Sequence, residues 1–284
     1  MLKSTFCHIP GISTSTEQHM WSSGIQCWEE AARAAAIRLP RKKIGAIAQH
    51  IEQSFESLER NDPQYFAALL PANQHWRFFP DFQRSVAYLD IETTGLGYSD
   101  SITTIVVYDG QSTSHYVQNQ NLYDFTKDIT RYNVLVTYNG KCFDIPFIER
   151  YFGIRMDQAH IDLRYVLKSL GYSGGLKGCE RQMGIDRKDL SDVDGYFAVL
   201  LWDDFKKNRN PKALETLLAY NTQDVINLET LMVTAYNLKL EQTPFRLSRR
   251  LPLPAPPPSA FQADRDTINR IQRNISWSAF ASRF

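Results

Sequence analysis

The stretch that decides the fold is Val86–Gly95, which reads VAYLDIETTG. Four apolar or aromatic residues lead into Asp90 and Glu92, and a run of this kind is typical of a buried central strand. Because side chains alternate along a strand, two residues that are two positions apart point to the same face. The stretch therefore predicts a strand that carries two carboxylates side by side at its end.

Two adjacent carboxylates at the end of a buried strand are unfavourable, because each raises the pKa of the other and each resists desolvation. A bound divalent cation relieves both problems, since hard cations prefer carboxylate oxygen. The alternative is that the strand ends before Asp90 and that both acids are solvated. Asp90 and Glu92 alone favour this alternative, because two acids spaced in this way are common.

A second acidic position follows in Val134–Ile148, where an apolar stretch runs into a glycine turn and then into a predicted helix. Asp144 precedes Pro146, and proline is favoured in the first turn of a helix. Asp144 is therefore either a site residue or the N-cap of this helix. The two roles are compatible.

The third element is the helical segment Leu217–Leu228. Asp224 falls on its core-facing stripe, and Tyr220 lies one turn earlier, so the two side chains are neighbours. A buried, unpaired carboxylate costs several kcal/mol or becomes protonated. Asp224 is therefore expected either to pair with an arginine or a backbone donor, or to bind a metal ion.

Taken together, the three segments resemble the DEDD exonucleases of the RNase H-like (DnaQ-like) superfamily. The first motif of that family, D-x-E followed by T-G, matches Asp90–Gly95, and its second motif matches Asn139–Phe147. Its third motif has either a tyrosine or a histidine ahead of the last aspartate. Tyr220 fits the tyrosine form, and Ala219 stands where a histidine would be needed, which indicates the DEDDy branch. Three features resemble the YprB-like bacterial group. They are the stretch Gly174–Arg181 (GGLKGCER), the pair Asp194-Gly195, and an N-terminal pattern that begins at Pro10-Gly11-Ile12.

This resemblance implies an α/β fold with an RNase H-like mixed β-sheet flanked by helices. It implies a 3'→5' exonuclease that hydrolyses phosphodiester bonds with two Mg²⁺ or Mn²⁺ ions, on single-stranded DNA by preference or on RNA. In this family, Asp90 would bridge both ions, and Glu92 and Asp224 would complete the ion that binds the attacking water. Asp144 would hold the second ion, and Tyr220 would orient the water.

Candidate nucleic-acid contacts are Thr93, Gly95, Asn139 and Lys177. The glycine-rich stretch around Lys177 predicts either a close approach to the phosphate backbone or only a flexible turn.

Three regions are expected along the chain: a helical N-terminal unit at 1–84, an exonuclease domain at 85–240, and a Pro-rich linker with a basic tail at 241–284. The pattern that begins at Pro10-Gly11-Ile12 resembles a helix-hairpin-helix, which contacts phosphates through backbone N–H groups. Ser13 stands where that motif usually has a second glycine. The alternative is that residues 1–84 are a helical cap packed on the nuclease.

Element boundaries follow from periodicity and from turn residues. The predicted strands are Val86–Glu92, Thr103–Tyr108, Ser114–Val117 and Val134–Tyr138. The predicted helices are Arg41–Leu58, Ile145–Phe152, Leu163–Leu170, Leu176–Met183, Pro211–Leu238 and the amphipathic piece Thr267–Phe280.

Composition bounds the class of protein. The 284 residues carry a net charge of +1, but residues 85–240 hold sixteen basic and twenty acidic side chains, and residues 241–284 hold seven basic and three acidic ones. An acidic centre and a basic tail suit a metal-using enzyme with a polyanionic substrate. The sequence has no apolar run long enough to span a membrane, no secretory signal is expected, and the four cysteines form no C-x-x-C pair. A cytoplasmic protein without membrane partners is expected.

Two other functions remain open. One is a nucleic-acid-binding or scaffold protein whose nuclease site is vestigial. The other is a structure-specific endonuclease on the same fold, because the same metal site cuts any strand that reaches it.

Overall fold

A five-stranded mixed sheet forms the centre of the protein. The computed structural model describes residues 1–33, 41–191 and 193–281. Its strands are β1 (Val86–Thr93), β2 (Ile102–Tyr108), β3 (Thr113–Val117), β4 (Val134–Thr137) and β5 (Ala159–Asp162). They lie in the order β3-β2-β1-β4-β5, in which β1 is antiparallel to β2 and parallel to β4. The predicted mixed sheet is confirmed.

Strand β1 continues through both carboxylates. Asp90 pairs with Val106 and Glu92 pairs with Thr104 of β2, and the register shifts only after Glu92. The alternative in which the strand ends before Asp90 is therefore wrong. Both acids lie on one face of the sheet, as the alternation of side chains requires.

Helices cover the sheet and extend the chain on either side of it. The α-helices are α1 (Thr14–Ser22), α2 (Trp28–Arg33), α3 (Arg41–Glu59), α4 (Pro63–Leu69), α5 (Phe79–Phe82), α6 (Phe125–Asp128), α7 (Asp144–Phe152), α8 (Leu163–Lys168), α9 (Gly175–Gln182), α10 (Gly195–Asn208), α11 (Pro211–Leu240) and α12 (Arg265–Ala281). Short 3-10 turns occupy Leu2–Ser4, Ala72–Arg77, Gln83–Ser85, Leu122–Asp124, Ile129–Arg131 and Lys188–Leu190.

The two faces of the sheet have different cores. On one face, Val86 and Tyr88 of β1 share a core with α8, α11 and the N-terminal helices. On the other face, Ala87 and Leu89 share a core with α6 and α7. Asp90 and Glu92 continue the Val86–Tyr88 alternation, so they point toward the α11 face.

Strand β5 and helix α10 were missing from the predicted set, as were the short helices α4, α5 and α6. Strand β5 has the sequence AHID, which is short and half polar, so it lacks the β-branched run that marks a strand. Helix α10 opens with glycine and contains a WDDF stretch, so its apolar spacing is interrupted. Asp194 caps α10 by accepting a hydrogen bond from the Phe197 N–H group at 2.8 Å.

The N-terminal segment is buried against the sheet domain. Trp28 and Phe66 belong to the same core as Tyr88, and both are fully buried. Glu17 holds the segment in place, because its Oε1 accepts hydrogen bonds from the N–H groups of Phe6 at 2.6 Å and Cys7 at 3.1 Å.

The turn at Pro10–Ser13 leads into α1, which Ser13 caps. A helix-hairpin-helix has an α-helix before this turn, but in residues 1–33 only the 3-10 turn Leu2–Ser4 precedes it. The resemblance therefore covers the hairpin and the second helix, and the segment's contact with phosphate remains a prediction.

The C-terminal segment packs back onto the domain. The side chain of Asn237 in α11 bonds both the carbonyl and the N–H group of Leu251 in the Pro-rich stretch. Farther on, Arg270 of α12 donates two hydrogen bonds to the buried Asp204 of α10. Within the described residues, no helix is long and apolar enough to cross a membrane, and all four cysteines are free thiols.

The ion pair between Glu17 and Arg77 gives a first prediction. The two groups lie 2.7 Å apart, and both are more than nine-tenths buried. Glu17→Gln should lower the free energy of unfolding by about 3 kcal/mol, because it leaves the buried Arg77 charge without its anionic partner. Urea denaturation measures the loss.

The matched control is Glu56→Gln. Glu56 lies on α3, and the substitution removes its exposed ion pair with Arg60. It should change the free energy of unfolding by less than about 0.5 kcal/mol. Equal stability of the two variants would show that the buried pair does not hold the N-terminal segment.

Candidate metal centre

Three carboxylates meet where β1 and α11 pack together. The carboxylate oxygens of Asp90, Glu92 and Asp224 lie within 4.8 Å of one another. Strand alternation brings the first two to the α11 face, and the core-facing stripe of α11 brings the third to the sheet. Glu92 and Asp224 are buried, and Asp90 is partly exposed.

The cluster is electrostatically strained without a cation. Burial, followed by the charges of Asp224 and Asp144, raises the pKa of Asp90 and of Glu92 well above the usual carboxyl range. Burial raises the pKa of Asp224 to about 6, even though the Arg187 charge opposes the shift. The negative charges of this buried cluster therefore need positive charge to compensate them. The described side chains supply only part of it.

The donor set suits a hard divalent cation. Within the described ranges, the cluster that could hold an ion consists of carboxylates, with no imidazole or thiolate among its ligands. Mg²⁺ and Mn²⁺ prefer such oxygen ligands, whereas softer metals select sulfur and nitrogen. Asp90, Glu92 and Asp224 therefore fit the ions that the sequence predicted.

Asp144 lies next to this cluster but outside the group of three. It is the first residue of α7, where Phe143 takes the N-cap position, so the prediction that Asp144 caps the helix is wrong. Its Oδ1 instead accepts a hydrogen bond at 3.3 Å from the N–H group of Ile91, which lies between the two acids of β1. Burial raises the pKa of Asp144 to about 7.

Asn221 holds Asp90 in place. Its Nδ2 donates to Asp90 Oδ2 at 2.6 Å, and its Oδ1 accepts from Thr104 Oγ1 at 3.1 Å. Asn221 lies one turn before Asp224 on α11 and is fully buried. Its position on the same helical stripe was the only sequence signal for this contact.

Arg187 is a side chain at the cluster that the sequence patterns did not single out. Its guanidinium lies 2.5 Å from Asp224 Oδ1, and it donates two hydrogen bonds to Glu180 of α9. Glu180 also accepts from Asn227 Nδ2 at 2.8 Å. Although burial opposes its charge, Asp224 and Glu180 raise the pKa of Arg187, so it remains a cation. The expectation that Asp224 could pair with an arginine is therefore correct.

Tyr220 lies beside the cluster, and two cationic side chains lie over its ring. The Lys177 ammonium is 5.3 Å and the Arg187 guanidinium is 5.7 Å from the centre of its ring. Burial, followed by the charges of Asp224 and Glu92, raises the pKa of Tyr220. The phenol therefore stays protonated at neutral pH.

The carboxylates line a cavity of about 470 Å³. Another part of its lining is an apolar and aromatic wall formed by Leu96, Tyr138, Phe143, Leu176, Tyr196 and Val199. Leu96 and Tyr196 are largely exposed at its mouth.

The predicted nucleic-acid contacts are grouped around this cavity. Thr93, Gly95 and Asn139 line it, whereas the Lys177 ammonium lies over the Tyr220 ring. The Asn139 N–H group donates to Asp162, which also caps α8.

Comparisons with known proteins identify the superfamily of the chain. A family model described as RNase_H_2, of the RNase_H superfamily, matches residues 87–236. The chain is 28% identical over 181 residues to the uncharacterized protein YprB of Bacillus subtilis (strain 168), with 53% of this chain and 42% of that protein covered. The chain thus spans less than half the length of this relative. A family B DNA polymerase from the hyperthermophilic archaeon Pyrobaculum calidifontis matches 55% of this chain and 26% of its own, with 16% identity and a TM-score of 0.40.

Metal binding can be measured without any substrate. Mn²⁺ at a hundred times its Kd should raise the melting temperature by about 5 °C or more, because ligand binding at that ratio adds about 2.7 kcal/mol to stability. In Asp90→Asn the rise should be lost. Asp203→Asn, which changes an exposed acid of α10, should keep it. An undiminished rise in Asp90→Asn would exclude this cluster as the binding site.

The metal-free protein should also lose stability as pH rises. In the folded state the pKa of Asp144 is about 7 and that of Asp224 about 6, against about 3.9 in an unfolded chain. The folded state therefore binds more protons, so the stabilisation is complete below pH ~4 and is lost as pH rises through ~6 to ~7.

This loss can be isolated by comparing urea unfolding of the wild type and Asp144→Asn in chelator between pH 4 and 8. The decline should be shallower in the variant, and Asp203→Asn should follow the wild type. Parallel curves for the wild type and Asp144→Asn would contradict the raised pKa.

Proposed function

The chain belongs to the RNase H superfamily, and from that premise we propose that it is a metal-dependent 3'→5' exonuclease of the DEDDy type acting on single-stranded nucleic acid. The observation that carries the proposal is the meeting of Asp90, Glu92 and Asp224 beside a cavity with an apolar wall. The four free cysteines suit a reducing compartment, and we propose a cytoplasmic location.

Asp90, Glu92, Asp144 and Asp224 would hold Mg²⁺ or Mn²⁺. A divalent cation bound there would activate water and stabilise negative charge on the leaving oxygen. Asn221 keeps Asp90 aimed at the cluster by a hydrogen bond, and the Arg187–Glu180 pair does the same for Asp224. Both supports come from buried side chains, so the ligand oxygens are held in place before any ion binds.

Tyr220 would act as a hydrogen-bond donor. Its raised pKa makes it a poor base, so its protonated hydroxyl is suited to orienting a water molecule or a phosphate oxygen. Lys177, beside the same ring, would add positive charge next to the phosphate that is cut.

The apolar wall explains why the end of a nucleic-acid strand would enter the cavity. A cavity of about 470 Å³ falls within the range typical of small-molecule pockets, so it suits a terminal nucleotide rather than a paired duplex. Exposed Leu96 and Tyr196 could pack against an unstacked base, and base stacking on aromatic rings is largely independent of sequence. Thr93 and Asn139 would contact the sugar and the backbone.

One observation favours a second function. Because Arg187 already pairs with Asp224, a cation of the protein competes with the metal for one ligand oxygen. A nucleic-acid-binding protein with a vestigial site would show the same contact.

The test of the proposal is cleavage of 5'-labelled single-stranded DNA and RNA in Mn²⁺. We expect a ladder that shortens from the 3' end and disappears in chelator. Asp90→Asn and Asp224→Asn should slow cleavage by about a hundredfold or more, because losing a metal ligand removes several kcal/mol of charge stabilisation. Tyr220→Phe should slow it by only about tenfold, as for the loss of one hydrogen bond.

Asp203→Asn serves again as the matched control and should cleave at the wild-type rate. Circular single-stranded DNA should resist the enzyme, and its rapid cleavage would indicate an endonuclease instead. Intact substrates of both kinds in Mn²⁺, with strand binding retained by the folded protein, would favour the vestigial site.

A further inference from the structure

A second polar cavity lies far from the carboxylates. It has a volume of about 120 Å³ and is enclosed by α1, the 3-10 turn Ala72–Arg77 and the end of α11. Lys239 lines it fifteen residues after Asp224 on α11, which places the two backbone positions about 22 Å apart along the helix. The cavity is therefore separate from the metal centre.

Lys239 is a buried cation without a partner. The residue as a whole is only 6% exposed, its ammonium nitrogen is accessible from the cavity, and among the described residues this nitrogen has no hydrogen bond and no ion pair. Burying a charged group is costly unless an opposite charge or several acceptors compensate it. Burial, followed by the Arg77 charge, lowers the pKa of Lys239. The environment as it stands thus opposes the charge of this lysine.

The acid in the cavity does not supply that compensation. Both oxygens of Glu17 are engaged, one by the N–H groups of Phe6 and Cys7 and the other by the Arg77 guanidinium at 2.7 Å. The carbonyl end of α11 offers Lys239 about half a negative charge, which leaves the remainder uncompensated. The cavity therefore carries a net positive charge at its α11 side.

The cavity also contains a buried donor that has no acceptor. The indole Nε1 of Trp76, one of its lining residues, is buried and has no acceptor among the described residues. Gln18 and Gln242 on the lining add amide groups that can donate. The volume is about four times the ~30 Å³ that a water molecule occupies in the liquid, so it admits a group larger than one water.

We propose that this cavity binds a phosphate-type oxyanion, with Lys239 supplying its counter-charge. The oxyanion is either free inorganic phosphate or a phosphate group of a bound nucleic-acid strand. The inference stands apart from the nuclease reaction, because it needs neither the metal centre nor cleavage.

The first experiment measures the melting temperature in inorganic phosphate and in chloride at equal ionic strength, with chelator present. Wild type should melt about 5 °C higher at a phosphate concentration a hundred times its Kd. Lys239→Met should lose this rise, whereas Lys239→Arg should keep most of it. Lys212→Met, which changes an exposed lysine at the other end of α11, should respond as wild type does.

The second experiment identifies the source of the phosphate. Oligonucleotides with a 5'-phosphate or a 5'-hydroxyl are titrated against the protein in chelator, so that no strand is cut. At least tenfold tighter binding of the 5'-phosphorylated strand, lost in Lys239→Met, would assign the site to a strand end, and a response to inorganic phosphate alone would assign it to a free anion.

Two results would overturn the proposal. One is a wild-type protein that responds to neither probe, which needs no variant to interpret. The other is a phosphate response that survives unchanged in folded Lys239→Met.

Discussion

The repulsion among carboxylates where β1 meets α11 is the constraint on which the rest of the site depends. Asp90, Glu92 and Asp224 are brought together by the packing of a strand on a helix, and neither element can turn its acid away without losing its core. Each supporting side chain offsets part of this repulsion. Asn221 donates to one acid, and Arg187 brings a positive charge to another. A metal ion would provide the remaining charge.

This constraint explains why the main site residues could be predicted from the sequence. Alternation along β1 placed Asp90 and Glu92 on one face, and the helical stripe of α11 turned Asp224 toward the same side. Both arguments are local, and both elements are long and strongly apolar. The fold class followed for the same reason, and the predicted ends of most strands and helices lie within one or two residues of the observed ones.

The contacts that could not be predicted depend on parts of the chain without periodicity. Arg187 lies in the turn after α9, and only the folded chain shows that it reaches α11 to meet Asp224. The alternative that Asp144 caps its helix was wrong, although an acid near a helix start is most often a cap. Here the cap position falls one residue earlier, and the carboxylate is turned toward β1 instead. Short or polar elements such as β5 give too few residues for a pattern.

Helix α11 also reaches from the metal centre to the second cavity. It is buried along most of its 30 residues, so its charged side chains can exist only where another group compensates them. Asp224 is paired with Arg187. Lys239 instead lines a cavity in which the acid, Glu17, is already paired with Arg77. Asp224 is a buried acid that favours a bound cation, and Lys239 is a buried base that favours a bound anion. Both lie on the same helix, and in both cases a partner of opposite charge offsets the cost of burial. Polar groups in a core are expensive unless a partner satisfies them. Glu229 of α11 has such a partner in the Tyr108 hydroxyl, whereas the partners of Asp224 and Lys239 are best sought outside the chain.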